Sequence, residues 1–142
     1  MKRAHYMPFG ATVRKDGGVN FRIWAPALSQ LSLVLQIEGK KTKLPMSRDS
    51  IGWFEARSSD ASAGTRYGFA IDGALVVPDP ASRYQPDGVH ATSEVVDPLA
   101  FDWQDASWQG RRWEESVIYE LHVGTFSPEG TYAAAERRLD YL

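Results

Sequence analysis

Glu120 and His122 are the two acid–base side chains that stand closest together in an apolar setting. They lie two residues apart in the run Val117-Ile118-Tyr119-Glu120-Leu121-His122-Val123, so on a strand both project to one face. The C-terminal end of a barrel strand carries side chains that touch substrate. A hydrogen-bonded polar pair in a barrel floor would satisfy the same spacing, and both readings stand. Glu114-Glu115 also pairs two carboxylates, but chain neighbours diverge in direction, which fits a solvated linker. His5, His90 and His122 are scattered without metal-ligand spacing. The sequence has no cysteine, which removes thiolate metal sites, disulfides and a cysteine nucleophile. Gly17-Gly18 reads as a turn, and no phosphate-cradling motif occurs. No metal and no cofactor is expected.

Aromatic side chains offer a second chemistry. Trp24, Trp53 and Tyr67 fall on predicted strands. Exposed on a sheet, their rings would stack on sugar rings; buried, they would be sandwich core or packing between domains. Trp103, Trp108 and Trp113 recur at five-residue spacing, as anchors for an ordered connecting segment.

The elements that must position these residues are mostly strands. Val19, Phe21 and Ile23 alternate with Asn20, Arg22 and Trp24, and Leu31, Leu33 and Leu35 repeat the pattern. Further strands are predicted over 9–14, over 42–46 with Pro45 at an edge, from Gly52 through Phe54, and through Thr65, Tyr67, Phe69 and Ile71. Asp16-Gly17-Gly18 and Asp72-Gly73 are turn signals, and 74–77 closes the series. Short strands joined by Gly, Pro and Asp turns predict an antiparallel sandwich or barrel. Phe21, Ile23, Leu33, Leu35, Phe54, Tyr67 and Phe69 are its expected core. Residues 78–109 hold four of the eight prolines and little periodicity. Such a segment reads as ordered chain draped over its neighbours. The apolar run 117–123 then suits a strand buried on both faces of a parallel sheet. Thr131 is a helix N-cap, followed by a stripe of Ala135, Leu139 and Leu142. One strand and one helix cannot close a parallel sheet, so the sequence reads as cut short.

Composition narrows the function. Sixteen basic against eighteen acidic residues leave a net charge of −2, which gives no footprint for nucleic acid or an anionic membrane. No apolar run approaches the ~20 residues needed to cross a bilayer. The first ten residues lack a signal-peptide core, which points to the cytoplasm. With 43% hydrophobic residues the chain can build a core rather than stay disordered.

Val19-Asn20-Phe21-Arg22-Ile23-Trp24-Ala25-Pro26 resembles the opening of the N-terminal sandwich domain of glucan-active enzymes in the α-amylase superfamily. Gly52-Trp53-Phe54 and Tyr67-Gly68-Phe69 continue the match, and residues 117–126 resemble the first barrel strand of those enzymes. Val77-Pro78-Asp79-Pro80-Ala81-Ser82-Arg83-Tyr84 and Ser93-Glu94-Val95-Val96-Asp97-Pro98 closely resemble the malto-oligosyltrehalose trehalohydrolase family, and Thr125 to Thr131 fits it too. The resemblance covers residues 7–142. It implies a mainly β chain: an immunoglobulin-like antiparallel β-sandwich of the E-set/CBM48 type over 1–95, an ordered linker over 96–113, and the first strand and helix of an incomplete (β/α)8 TIM barrel over 114–142. It implies a glycoside hydrolase that cleaves the α-1,4 bond next to trehalose in maltooligosyl-trehalose, by a retaining mechanism with two carboxyl groups. In that family the carboxylates follow later barrel strands, so no catalytic residue is assigned and the chain alone is expected to be inactive. Substrate contacts, if this chain makes any, would come from Trp24, Trp53, Tyr67, Glu120 and His122. The expected partner is maltooligosyl-trehalose or another α-glucan, and the barrel segment is expected to self-associate when its parallel neighbours are missing. A non-catalytic glucan-binding module and the N-terminal part of a branching or debranching enzyme are the competing readings.

Overall fold

The computed structural model describes residues 7–73 and 75–142, so His5 and Ala74 lie outside it. The chain divides into two units, one ending at Gln104 and the other spanning Asp105–Leu142.

The first unit is a sandwich of two antiparallel sheets. Its strands are β1 (Gly10–Val13), β2 (Val19–Trp24), β3 (Ser32–Ile37), β4 (Lys40–Pro45), β5 (Ser47–Arg48), β6 (Trp53–Ser58), β7 (Arg66–Ile71), β8 (Leu75–Val77) and β9 (Ser93–Glu94). One sheet runs β1-β2-β6-β5. The other runs β4-β3-β7-β8, with β9 pairing the opposite end of the β7 flank from β8. Period-2 alternation explains the layering: β2 turns Val19 and Phe21 inward and β6 turns Phe54 inward. Leu33 and Leu35 of β3 and Tyr67 and Phe69 of β7 meet them from the opposite sheet, all fully buried. The Phe21 and Tyr67 rings lie 4.9 Å apart, and Tyr67 meets Phe69 edge-on at 6.1 Å. Each such ring adds roughly 1.5–3 kcal/mol by leaving water. The expected core is thus in place, except that Ile23 sits at the sandwich rim and is only partly buried.

Turn chemistry sets the registers. Glu38 and Gly39, both at positive φ, make the two-residue turn that pairs Ile37 with Lys40. As Pro45 requires, β4 is an edge strand, and it exposes Lys40, Lys41 and Lys43. Strands β5 and β9 are two-residue pairings too short to leave a periodic signature.

The second unit differs from the sequence-based expectation. Residues 117–123 form no strand. A 3₁₀ turn at Trp113–Glu115 leads into irregular chain, and Val117 is 95% exposed. Strand conformation needs a ladder partner, and among the described residues this run has none. Helix α1 (Val123–Phe126) follows. Helix α2 (Tyr132–Glu136) starts at Thr131, whose hydroxyl accepts from Ala134 N at 3.2 Å, so the predicted cap is present. The predicted long stripe is not: α2 ends after five residues, a 3₁₀ turn follows at Leu139–Tyr141, and Leu139 and Leu142 are exposed. Trp103, Trp108 and Trp113 are also exposed rather than pinned against a surface. Among the described residues no helix is long and apolar enough to cross a membrane.

Candidate functional site

Alternation along β2 and β6 sends the polar and indole side chains outward. The register pairs Trp24 with Trp53, Arg22 with Glu55, and Asn20 with Arg57. The outer face of this sheet therefore carries both tryptophans side by side at one end. Their environments differ. Trp24 is 59% exposed and is steadied by a hydrogen bond from its Nε1 to the Ile51 carbonyl at 3.0 Å. Trp53 is only partly exposed, because the Arg22 guanidinium lies over its ring, 4.4 Å from the centroid. Asn20 Nδ2 donates to Glu55 Oε1 at 2.8 Å lower on the same face.

The turn before β6 fixes this end of the sheet. Asp49 Oδ1 accepts from Ile51 N and Trp53 N, both at 2.9 Å, and these backbone donors hold its carboxyl below the ordinary range. Gly52 has φ +93°, and a Cβ there would lie 2.6 Å from the Pro26 Cα. Its carbonyl accepts from Ala25 N at 2.9 Å, which joins the end of β2 to the turn. Arg48 Nε and Nη2 donate to the carbonyls of Leu28 (3.0 Å) and Pro26 (3.2 Å). The result is an exposed apolar patch, Trp24 with Ile51 at 68% exposure, on a rigid turn.

Tyr67 is not part of that surface. Its ring faces the core from β7, and its hydroxyl donates to Asp79 Oδ2 at 2.7 Å. Burial, followed by the Asp79 charge and hydrogen bond, pushes the phenol well above its usual range. A ring so enclosed cannot stack on a ligand. Glu120 and His122 are exposed in the irregular chain of the second unit, where the His122 carbonyl accepts from Phe126 N at 3.0 Å to start α1. They share no strand face. Of the five sequence-predicted residues, then, the fold brings together Trp24 and Trp53. Arg22, Asp49 and Ile51 complete that site and escaped the sequence reading. Arg22 could have been found, since it shares the outward parity of Trp24.

A shallow pocket of about 210 Å³ also lies on the outer face of the second sheet, between Val34, Gln36, Arg66, Val76 and His90. Arg66 is already committed there, to Asp87 at 2.7 Å and Glu94 at 2.9 Å.

Comparison with known proteins places this sandwich. The model of carbohydrate-binding module 48, the isoamylase N-terminal domain, matches residues 8–100. Curated malto-oligosyltrehalose trehalohydrolases are 44% identical (Rhizobium sp. strain M-11, 95% of this chain) and 41% identical (Saccharolobus solfataricus, 96%). The chain spans 23% of the length of each. A crystal structure from Salmonella typhimurium, of a protein described as an alpha amylase, superposes with a TM-score of 0.84 at 40% identity. That match covers 97% of this chain and 23% of the other. A Klebsiella pneumoniae pullulanase complexed with maltotriose superposes with a TM-score of 0.54 at 30% identity, over 63% of this chain and 9% of its own. The chain belongs to the carbohydrate-binding module 48 family, in the form found at the N-terminus of malto-oligosyltrehalose trehalohydrolases.

Proposed function

We propose that this chain is the N-terminal part of a cytoplasmic glycoside hydrolase that cleaves the α-1,4 bond beside the trehalose unit of maltooligosyl-trehalose, releasing trehalose. The observation that carries the reading is the extent of the match. Identity to trehalohydrolases above 40% runs over 95% of the chain, well past residue 100 where the module ends, whereas pullulanase likeness covers 63–73% and a branching enzyme is 32% identical over 80%. Residues 1–95 serve as the sandwich, 96–113 as the linker, and 114–142 as the first strand and helix of a catalytic barrel that forms when parallel neighbours are present. The catalytic carboxyl groups lie on later strands, so this chain alone is inactive. Product analysis tests the reading. The longer protein incubated with maltooligosyl-trehalose should give trehalose and a shortened maltooligosaccharide. New or lost α-1,6 branches in place of trehalose would move the protein to the branching or debranching enzymes.

The sandwich acts mainly as scaffold in this reading, since Arg22 covers the Trp53 face and Tyr67 is enclosed. One observation favours a second role, direct glucan binding: the Trp24 ring is open to solvent at the end of the sheet. Titration with maltoheptaose, read by tryptophan fluorescence, separates the two. A saturable change that disappears in Trp24→Ala supports binding, and a flat titration leaves Trp24 as a packing surface.

A further inference from the structure

Residues 78–95 contain the Asp-Pro-Ala-Ser-Arg motif, which the functional reading leaves without a role. The segment leaves β8 and returns to β7 as β9. Asp79, at 3% exposure, is its buried charged residue. Its Oδ2 accepts from the Tyr67 hydroxyl at 2.7 Å and its Oδ1 from Ala81 N at 2.8 Å, while its own N–H donates to Ser93 Oγ at 3.0 Å. Asp79 thus ties the start of the segment to β7 and to the segment's own end. Four residues on, Arg83 Nη1 donates to the Ala11 carbonyl at 2.8 Å. Ala11 is on β1, the edge strand of the opposite sheet, which has β2 on one side and, among the described residues, no strand on the other. The guanidinium gives that edge a partner. Ser82 N bonds the Asp79 carbonyl at 2.9 Å, and Pro80 fixes its own φ, so the two contacts are held at a set separation.

We propose that Asp79 and Arg83 form a two-point clasp, which closes one flank of the sandwich by joining β7 to the edge strand β1 and opens as one unit when either point is lost. The coupling has two physical sources. The buried Asp79 carboxylate is satisfied by the neutral donors Tyr67 and Ala81, so loosening the segment leaves it without partners in an apolar setting. The Arg83 charge also favours the ionised carboxylate across the motif, so its removal weakens the first point as well as the second.

Amide hydrogen exchange on the full chain tests the clasp. Tyr67→Phe removes one hydroxyl and Arg83→Gln one charge, and each should speed exchange at Ala81, Ser82 and Glu94 by roughly tenfold or more. The β2 and β6 ladder amides should keep their wild-type rates. Unchanged exchange at Ala81 and Glu94 in Arg83→Gln would overturn the coupling. Acceleration of β2 and β6 by the same factor, or failure of both variants to fold, would make the pair part of the core and overturn the clasp.

Discussion

Phe21 shows how much one position can carry. Its ring is fully buried, faces Tyr67 at 4.9 Å, and sits where the two sheets meet. Phe21→Ala should cost about 3–5 kcal/mol in urea unfolding, and a loss below ~1 kcal/mol would mean that the cavity collapses or the site is not core. Asp79 supplies the second expectation at this scale. Burial raises its folded pKa above the usual 3.8, against the opposing pull of the Tyr67 hydroxyl, Ala81 N and Arg83. Between 3.8 and the folded value the folded state holds a proton that the unfolded state has released, so the stability this group contributes is fully present below 3.8 and is lost as pH rises through the folded value. The urea midpoint of the wild type relative to that of Asp79→Asn should fall as pH rises through that range; a constant difference would contradict it. Phe21 was legible because alternation alone assigns its face. Asp79 was not, since its partners Tyr67 and Ser93 lie twelve and fourteen residues away and only the fold delivers them.

Strands were legible where a period-2 run meets a turn residue. Val19–Trp24 was bounded correctly for that reason, and Pro45 correctly named an edge. The site was half legible. Trp24 and Trp53 were singled out with exposed and buried readings both open, and their opposite states, one open and one under Arg22, depend on the cross-strand register. Gly52 closes the tryptophan end of that register, where its carbonyl accepts from Ala25 N. Gly52→Ala places a Cβ against Pro26 backbone at a positive φ and should destabilise by more than about 1 kcal/mol, with altered Trp24 and Trp53 fluorescence. Wild-type stability in that variant would show that the turn relaxes freely. The run 117–123 forms no strand here for a complementary reason. Its apolar composition describes a strand in a parallel sheet, and composition cannot supply the sheet. In a monomer of residues 1–142 the Tyr119 and Leu121 amides should therefore exchange quickly, and slow exchange there would reveal a ladder partner.

For the molecule as a whole, the motifs reached further than the periodicities. Alternation pointed to an antiparallel sandwich or barrel, architectures that many unrelated functions share. The segment from Val77 to Pro98 narrowed it to one family of enzymes, and the extent of identity to trehalohydrolases agrees with that narrowing. As proposed above, this chain frames a trehalose-releasing glycosidase without holding its catalytic carboxyls. The direct measurement is trehalose release from maltooligosyl-trehalose by two proteins side by side, residues 1–142 and the longer protein carried through a complete barrel. Release is expected from the longer protein and none from the shorter. Trehalose from residues 1–142, or none from a folded longer protein, would contradict it.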